Sequence, residues 1–512
     1  MENQPETLDE LAAHAQRTHV VVVGGGIGGL VAALSCAKIG MRVTLVEASE
    51  RLGGALRTTE VGGVRVDLGA EGYATRGGAV RSLVDELGLA GAVAPVAPRA
   101  EWIAGLTTGS APLPAETLLG IPENPWDERV RQIIGWRGTW RAYVDRLRPP
   151  LTIGQERSLG RLVRTRMGAA VLERLVAPLS LGAFAIHPDD VDVQIAAPGL
   201  SSALTRTGSL AGAVAQVRAA AAGETNDRFE GIDGGMSRLV DALHERLTEL
   251  GARVVLDAPV DALAAGDDGR WAVVLDTDDT ADAHTDAVPR DAVDEEIPGR
   301  TEGAIRIDPA DAVIVAAGVT ESHRLLSPSV PALVPTPGTD LEVVTLVLSA
   351  AARADAPPRT AVYPVPGSAR AAAVSDSTAR WGWMRRAAGA EVRVLKVTFG
   401  GPDTSPATAG LDHPAAAALA LAEASALLGE PLDAGHLLGS HRARYTQPPP
   451  VSALGRRDAA DAARAAIHAV PGLAVVGAAI AGTGIAQVVP DAIAAAERVR
   501  RVALWGSGDE RA

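Results

Sequence analysis

The chain has 512 residues, 47% of them apolar, and a net charge of −14. That length exceeds one simple core and implies two or three structural units. The acidic balance excludes a nucleic-acid partner held by phosphate neutralisation, and the single cysteine, Cys36, excludes an internal disulfide.

Residues 1–17 are acidic and polar, unlike a secretory signal, and are expected to form a disordered leader. An apolar run, Val20 to Val23, then enters a glycine cluster in which Gly24, Gly26 and Gly29 fit G-x-G-x-x-G. Leu30, Ala33, Leu34 and Ala37 follow at helical spacing. A second strand, Arg42 to Val46, ends at Glu47, eighteen residues after Gly29. Strand, turn, helix, strand and acid make the full dinucleotide-binding unit. Gly24 permits the tight turn, Gly26 lets a pyrophosphate approach the backbone, and Gly29 lets helix and strand pack closely. The helix N-terminus offers N–H groups to phosphates, and Glu47 suits ribose hydroxyls. Cys36, inside the helix, reads as a small packed hydrophobe.

Gly62 to Leu68 reads as a strand, and Gly77 to Leu87 as a helix ended by Gly88. From Ala100 proline and tryptophan become frequent, and helical segments run through Arg157 to Val176. Their arginines read either as a solvated face or as a rim for a polycarboxylate. His187, before Pro188, reads as a structural turn residue. Ser209 to Ala222 is a small-residue helix, and Leu239, Val240, Leu243, Leu247 and Leu250 stripe another. Arg253 to Leu256, Trp271 to Leu275 and Asp311 to Gly318 read as strands, and Thr277 to Gly303 as an acidic loop. Leu341 to Leu348, Thr360 to Tyr363, Val392 to Phe399 and His441 to Tyr445 are β-rich, and Ala415 to Leu428 is an alanine-rich helix. Ala465 to Pro490 carries no formal charge, but Pro471, its glycines and Gln487 favour a strand, a glycine turn and a helix start over a membrane span. A final helix is expected from Pro490 to Val502. No Cys/His cluster has metal spacing, so no metal is expected.

Cofactor-type segments at both ends and in the middle predict an α/β fold whose cofactor domain is discontinuous. The expected divisions are 18–99, 229–330 and 466–505 for that domain, 100–228 for a helical part of the substrate region, and 331–465 for a mixed-sheet α+β substrate domain.

Five stretches decide the resemblance: GGGIGG with E-x-x-x-R-L-G-G, DLGAE, LGAFAIHPDDVDV, FEGIDGGMSRLVDAL and GLAVVGAAIAGTGIAQVV. The first, with its Arg51-Leu-Gly-Gly54 tail, looks like the extended flavin fingerprint of amine-oxidase-like flavoproteins. Together they resemble the porphyrinogen-oxidising flavoproteins of haem biosynthesis, nearest the coproporphyrinogen III oxidases of actinobacteria and other Gram-positive bacteria. The resemblance implies a Rossmann-like FAD domain, a porphyrinogen substrate, molecular oxygen as acceptor with hydrogen peroxide released, a cytoplasmic enzyme without a transmembrane segment, and transient contact with the next haem-pathway enzyme. By motif, Gly24, Gly25, Gly26, Ile27, Gly28 and Gly29 would meet the FAD diphosphate and Glu47 the ribose. Arg51, Gly53 and Gly54 would line the flavin side, and Gly69, Ala70, Glu71 and Gly72 would pass under the isoalloxazine. The Val260 backbone would meet the adenine, and Ala478, Thr483, Gly484 and Ile485 would close on the flavin. No side-chain base is implied. Backbone near Gly182, Ala183, Phe184, Ala185 and Ile186 would neighbour the reacting carbon, and Arg76 is a candidate propionate contact. Family members commonly read G-V-Y-A-G-D where this chain has Gly182 to His187. Protoporphyrinogen as substrate, a flavin amine oxidase or carotenoid desaturase, and a non-catalytic FAD-binding protein remain the alternatives.

Overall fold

The structure is a computed structural model, and it describes residues 8–98, 100–148, 156–221, 229–276, 307–349 and 359–505. The acidic loop expected at 277–303 lies outside them. The first described element is a helix, α1 (Leu8–Arg17), where a disordered leader was expected. Ala15 is buried on the first core, so apolar residues at helical spacing outweigh the polar composition of the segment.

β1 (His19–Val23) is buried along its whole length, as a run of β-branched residues between two covered faces requires. α2 (Ile27–Ala37) follows, then β2 (Arg42–Val46). Five parallel strands order as Arg253–Val255, β2, β1, Ala312–Val315 and Leu473–Val475. Val20 sits opposite Ala312 on one side and Val43 on the other. α2, Ser237–Glu249 and the C-terminal helix Ile485–Trp505 cover one face, where Leu30, Leu243 and Val489 are fully buried. Each such side chain contributes about 1.5–3 kcal/mol of burial. That last helix begins at Ile485, not at Pro490, and carries Pro490 in its second turn.

A second sheet has seven strands, ordered Leu437–Gln447, Thr339–Ser349, Val392–Gly400, Ala371–Asp376, Ala361–Pro364, Glu101–Leu106 and Gly109–Pro112. Its neighbours are antiparallel except Ala361–Pro364 beside Glu101–Leu106. The helix His413–Leu428 packs across it through Ala417, Ala420 and Ala424. The region 100–228 is therefore not wholly helical. Its first hairpin, where Ile103 is fully buried, completes the far edge of this sheet. Beyond a two-stranded pairing of Thr117–Leu118 with Ile121–Pro122, the regular structure of the described remainder is helical, with Leu172, Leu175 and Val214 in its core. The helix Arg456–His468, absent from the sequence reading, packs beside Leu473–Val475, so the boundary expected at 465/466 falls inside it.

Candidate functional site

The glycine turn has the geometry its sequence predicts. Gly24 has φ of +108°, and a Cβ built on Gly29 would lie 1.9 Å from the Gly24 carbonyl oxygen. Any side chain at 29 would force the turn open. A Cβ on Gly26, by contrast, meets no described atom within 4 Å. Gly26 also caps α2, and no described side chain caps that N-terminus in its place. An uncapped helix end facing open space is what a diphosphate needs. Glu47 stands beside it: one carboxylate oxygen accepts from the Gly25 amide at 2.6 Å, the other from Ser49.

Later segments close round this turn. Gly53 donates to the Gly25 carbonyl at 2.8 Å and bridges Gly26, which sets Gly54 beside it. A Cβ on Gly28 would fall 3.1 Å from the Gly477 Cα, so the far end of the chain abuts the first turn. Gly477 (φ +95°) opens the short helix Ala478–Ala481, and Thr483 and Gly484 lead into the helix at Ile485. Three charged residues missed in the sequence hold this turn. The Asp491 carboxylate accepts from the Gly477 amide and pairs with Arg464 at 2.5 Å; burial pushes its acidity down, against those two contacts. Arg456, buried, donates to the Ala479 carbonyl.

The segment Gly69–Gly72 is fixed as tightly. A Cβ on Gly69 would sit 2.1 Å from the Ala55 carbonyl oxygen, and one on Gly72 would sit 2.4 Å from that of Glu230. The Glu71 carboxylate pairs with Lys396 at 2.7 Å, with Ser377 and the Trp381 indole N–H as further donors. Burial alone would raise its pKa, but Lys396 and Arg380 outweigh that and hold it at about 2. Lys396 is one of only two lysines in the chain and the lone cation in Leu395–Phe399, a signal the sequence did offer. Nearby Asp67 accepts from Thr58 Oγ1 and the Met236 amide, yet burial pushes it up to about 6. Val260 begins a strand, and its carbonyl accepts from Arg324 at 2.6 Å, a contact that an adenine would have to share.

The strand Leu437–Gln447 joins these loops to the 182–186 segment. Alternate side chains face opposite ways. Arg442 and Arg444 point to the buried Glu342, at 2.6 and 2.8 Å. On the other face, the Tyr445 hydroxyl lies 3.3 Å from a Cβ built on Gly69, and Gln447 Nε2 donates to the Phe184 carbonyl. Burial and the positive charge of Arg57 depress the His441 imidazole, while burial pushes the Tyr445 phenol up to about 12. Gly182 packs against the sheet: its Cβ would meet the Tyr363 ring and the Ala372 carbonyl at 2.7 Å. Ala185 ends that helix with φ of +50°. The Phe184 and Ile186 carbonyls are already accepting, from Gln447 and Ser180.

Other expected residues divide differently. Arg157, Arg164 and Arg166 pair with Asp192, Asp189 and Asp145; Arg166 is buried in the helical core, while Arg157 and Arg164 stay half-exposed on its surface. Arg76 is exposed in the turn after Tyr73–Ala74. His187 stands at its turn, 3.5 Å from Asp403. Burial raises the Cys36 thiol to about 12. Among the described residues no group of three or more His, Cys, Asp or Glu could hold a metal, and no helix is long and apolar enough to cross a membrane.

The sequence pattern of flavin containing amine oxidoreductases matches residues 27–500. A coproporphyrinogen III oxidase of Propionibacterium freudenreichii is 28% identical over 351 residues, 62% of this chain and 60% of that protein. One of Mycobacterium bovis is 32% identical over 309 residues, 58% of this chain and 66% of that protein. The matches thus span somewhat under two thirds of these relatives. A protein of Exiguobacterium sp. 255-15, provisionally named a protoporphyrinogen oxidase, has a solved structure that superposes with TM-score 0.76 at 22% identity, over 95% of this chain and 99% of its own. Putrescine-bound putrescine oxidase superposes with TM-score 0.57 at 16% identity, over 94% and 98%. At such identities these two show a shared fold.

Proposed function

The chain belongs to the flavin containing amine oxidoreductase family, and from that premise we propose that it is an FAD-dependent oxidase converting coproporphyrinogen III to coproporphyrin III in haem biosynthesis. Oxygen as acceptor, hydrogen peroxide as by-product, a cytoplasmic location and transient contact with the next haem-pathway enzyme belong to the same proposal. The observation that carries it is the shared face of Leu437–Gln447. It turns Tyr445 toward Gly69, with the charge of Arg57 felt at His441 and Tyr445, and it holds Phe184 through Gln447. A cation beside a flavin cradle suits a substrate that carries carboxylates. The names of the relatives support the choice of ring system.

Bound FAD supplies the redox chemistry, and the chain binds, orients and excludes water. Gly24 to Gly29 and the N-terminus of α2 would hold the diphosphate, with Glu47 on the ribose. Arg51, Gly53 and Gly54 would line the flavin. Gly69, Ala70 and Gly72 would run beneath it, and Ala478, Thr483, Gly484 and Ile485 would close it. Glu71 would act through Lys396, fixing the 69–72 backbone from behind. Backbone of Gly182 and Ala183 would border the substrate, and Arg76 would receive a propionate.

The test is anaerobic mixing of the flavin-loaded protein with each porphyrinogen, followed by porphyrin fluorescence in air. Rapid bleaching by coproporphyrinogen III is expected. Faster bleaching by protoporphyrinogen would favour the second reading, which a 30% identical protoporphyrinogen oxidase of Bos taurus supports. Bleaching by amines alone, or by no candidate, would overturn both. Arg76→Ala should raise KM strongly with FAD occupancy intact; an unchanged KM removes Arg76 from the site.

A further inference from the structure

The glycine turn lies at the carboxyl ends of the parallel strands, where β1 runs out into Gly24. At the opposite ends of the same strands the chain encloses a cavity of about 890 Å³. Thr18, Ala312 and Leu473, at the starts of three neighbouring strands, line it. The last turn of α1, the end of Arg456–His468 and the outer part of Ile485–Trp505 surround it.

The charge of this cavity is one-sided. Arg17, Arg498 and Arg501 face it, with His14 and His468. Asp311, the single acid of the lining among the described residues, is committed elsewhere. One of its carboxylate oxygens accepts from the His19 amide at 2.7 Å, and the other lies 3.3 Å from the Arg270 guanidinium. Among the described residues no acid pairs with Arg17 or Arg501. Burial and the charges of Arg498 and Arg464 push the His468 imidazole down to about 4, so a positive field is felt there. Cations suit the carboxyl end of a helix, which accounts for His14 and Arg17 in the last turn of α1. It does not account for Arg498 and Arg501, which stand before the last turn of their helix. Arg500, between them, turns to the Ser35 carbonyl at 2.8 Å.

In a chain of net charge −14, a cavity faced by three guanidinium groups suits an anion. Its volume exceeds that of one phosphate and falls in the range of sites for cofactor-sized ligands. Val470, Val499 and Val502 give it an apolar side for the body of such a ligand. Guanidinium groups bind phosphate oxygens in pairs, and three of them match a run of phosphates better than a lone carboxylate. We propose that this cavity binds an organic polyphosphate of nucleotide size, as a second ligand apart from the cofactor.

The experiment is calorimetric titration of the full-length, flavin-loaded chain with ATP at about 0.15 M salt, where the screening length is ~8 Å. One-to-one binding is expected, with the flavin spectrum unchanged. AMP, which lacks two of the phosphates, should bind at least tenfold more weakly, and so should citrate, a polyanion without phosphate. Arg17→Ala/Arg501→Ala should weaken ATP binding at least tenfold, with the thermal midpoint without ATP and the flavin occupancy both unchanged. Val502→Glu, which keeps the arginines and adds a carboxylate to the cavity, should weaken it comparably. No binding of ATP, or binding that neither variant weakens, overturns the proposal. Citrate binding as tightly as ATP overturns it too, since the cavity would then be a polycarboxylate site. So does release of FAD by ATP, because the nucleotide would then occupy the glycine turn.

Discussion

The two sheets are built on opposite rules. The parallel sheet buries His19 and Thr44, which bond to each other at 2.9 Å, but among its described residues no buried carboxylate, lysine or arginine. The seven-stranded sheet buries Glu342, Asp376, Arg393 and Lys396, each in an ion pair. Shape therefore governs the cofactor side, where glycines stand closer to backbone than any side chain allows. Charge pairing governs the substrate side. The first should fail when volume is added, the second when a partner is removed.

Substitutions in each region can break that contrast. The largest effect is expected from Glu71→Gln, which leaves Lys396 buried without its carboxylate and should cost about 3–5 kcal/mol in urea unfolding. Glu71→Gln/Lys396→Met should recover most of it; no recovery would mean that Glu71 acts by packing alone. The pH dependence carries the same sign. Glu71 is depressed to about 2, so its contribution is complete above the ordinary 4.5 and is lost as pH falls through about 2. Next comes Gly29→Ala, whose methyl group meets the Gly24 carbonyl. A loss of about 1–3 kcal/mol or more is expected, together with flavin-free protein on purification. Wild-type flavin content would contradict a steric role.

Asp67→Asn should act in the opposite direction. Asp67 is raised to about 6, so wild-type stability declines as pH rises from the ordinary 3.8 through about 6. The variant should lose that decline and gain on the order of 1 kcal/mol at pH 7, read as a flatter curve of Tm against pH. Gly26→Ala should leave the Tm of the flavin-free protein unchanged, since its methyl group meets no described atom, yet weaken FAD retention at least tenfold. Equal retention would mean that the diphosphate lies elsewhere.

The cofactor turn was legible because all its constraints lie within Thr18 to Gly54 and a glycine has few reasons to recur at that spacing. The turn at 477–485 was legible in its glycine spacing, but its supports Asp491, Arg464 and Arg456 lie outside that run and were not. The partners of Glu71 were not: Ser377, Trp381 and Lys396 lie some 300 residues away, and no local pattern reports a pairing across that distance. The hairpin Glu101–Leu106/Gly109–Pro112 was hidden by its prolines and tryptophan, since strand identity there comes from docking beside Ala361–Pro364. The arginines of 157–166 took their meaning from acids at 145, 189 and 192, which sequence spacing does not connect.

The abutment of Gly28 on Gly477 has a consequence in time. β1 needs Ala312–Val315 at one edge, and that strand needs Leu473–Val475. At ~5–20 residues per second of synthesis, the first glycine turn waits on the order of half a minute to a minute and a half for its counterpart. Through that interval the valines of β1 have no complete sheet to join. The completed glycine turn is thus among the last features of the chain to assemble, and FAD added during refolding should speed recovery only after the C-terminal strand has docked.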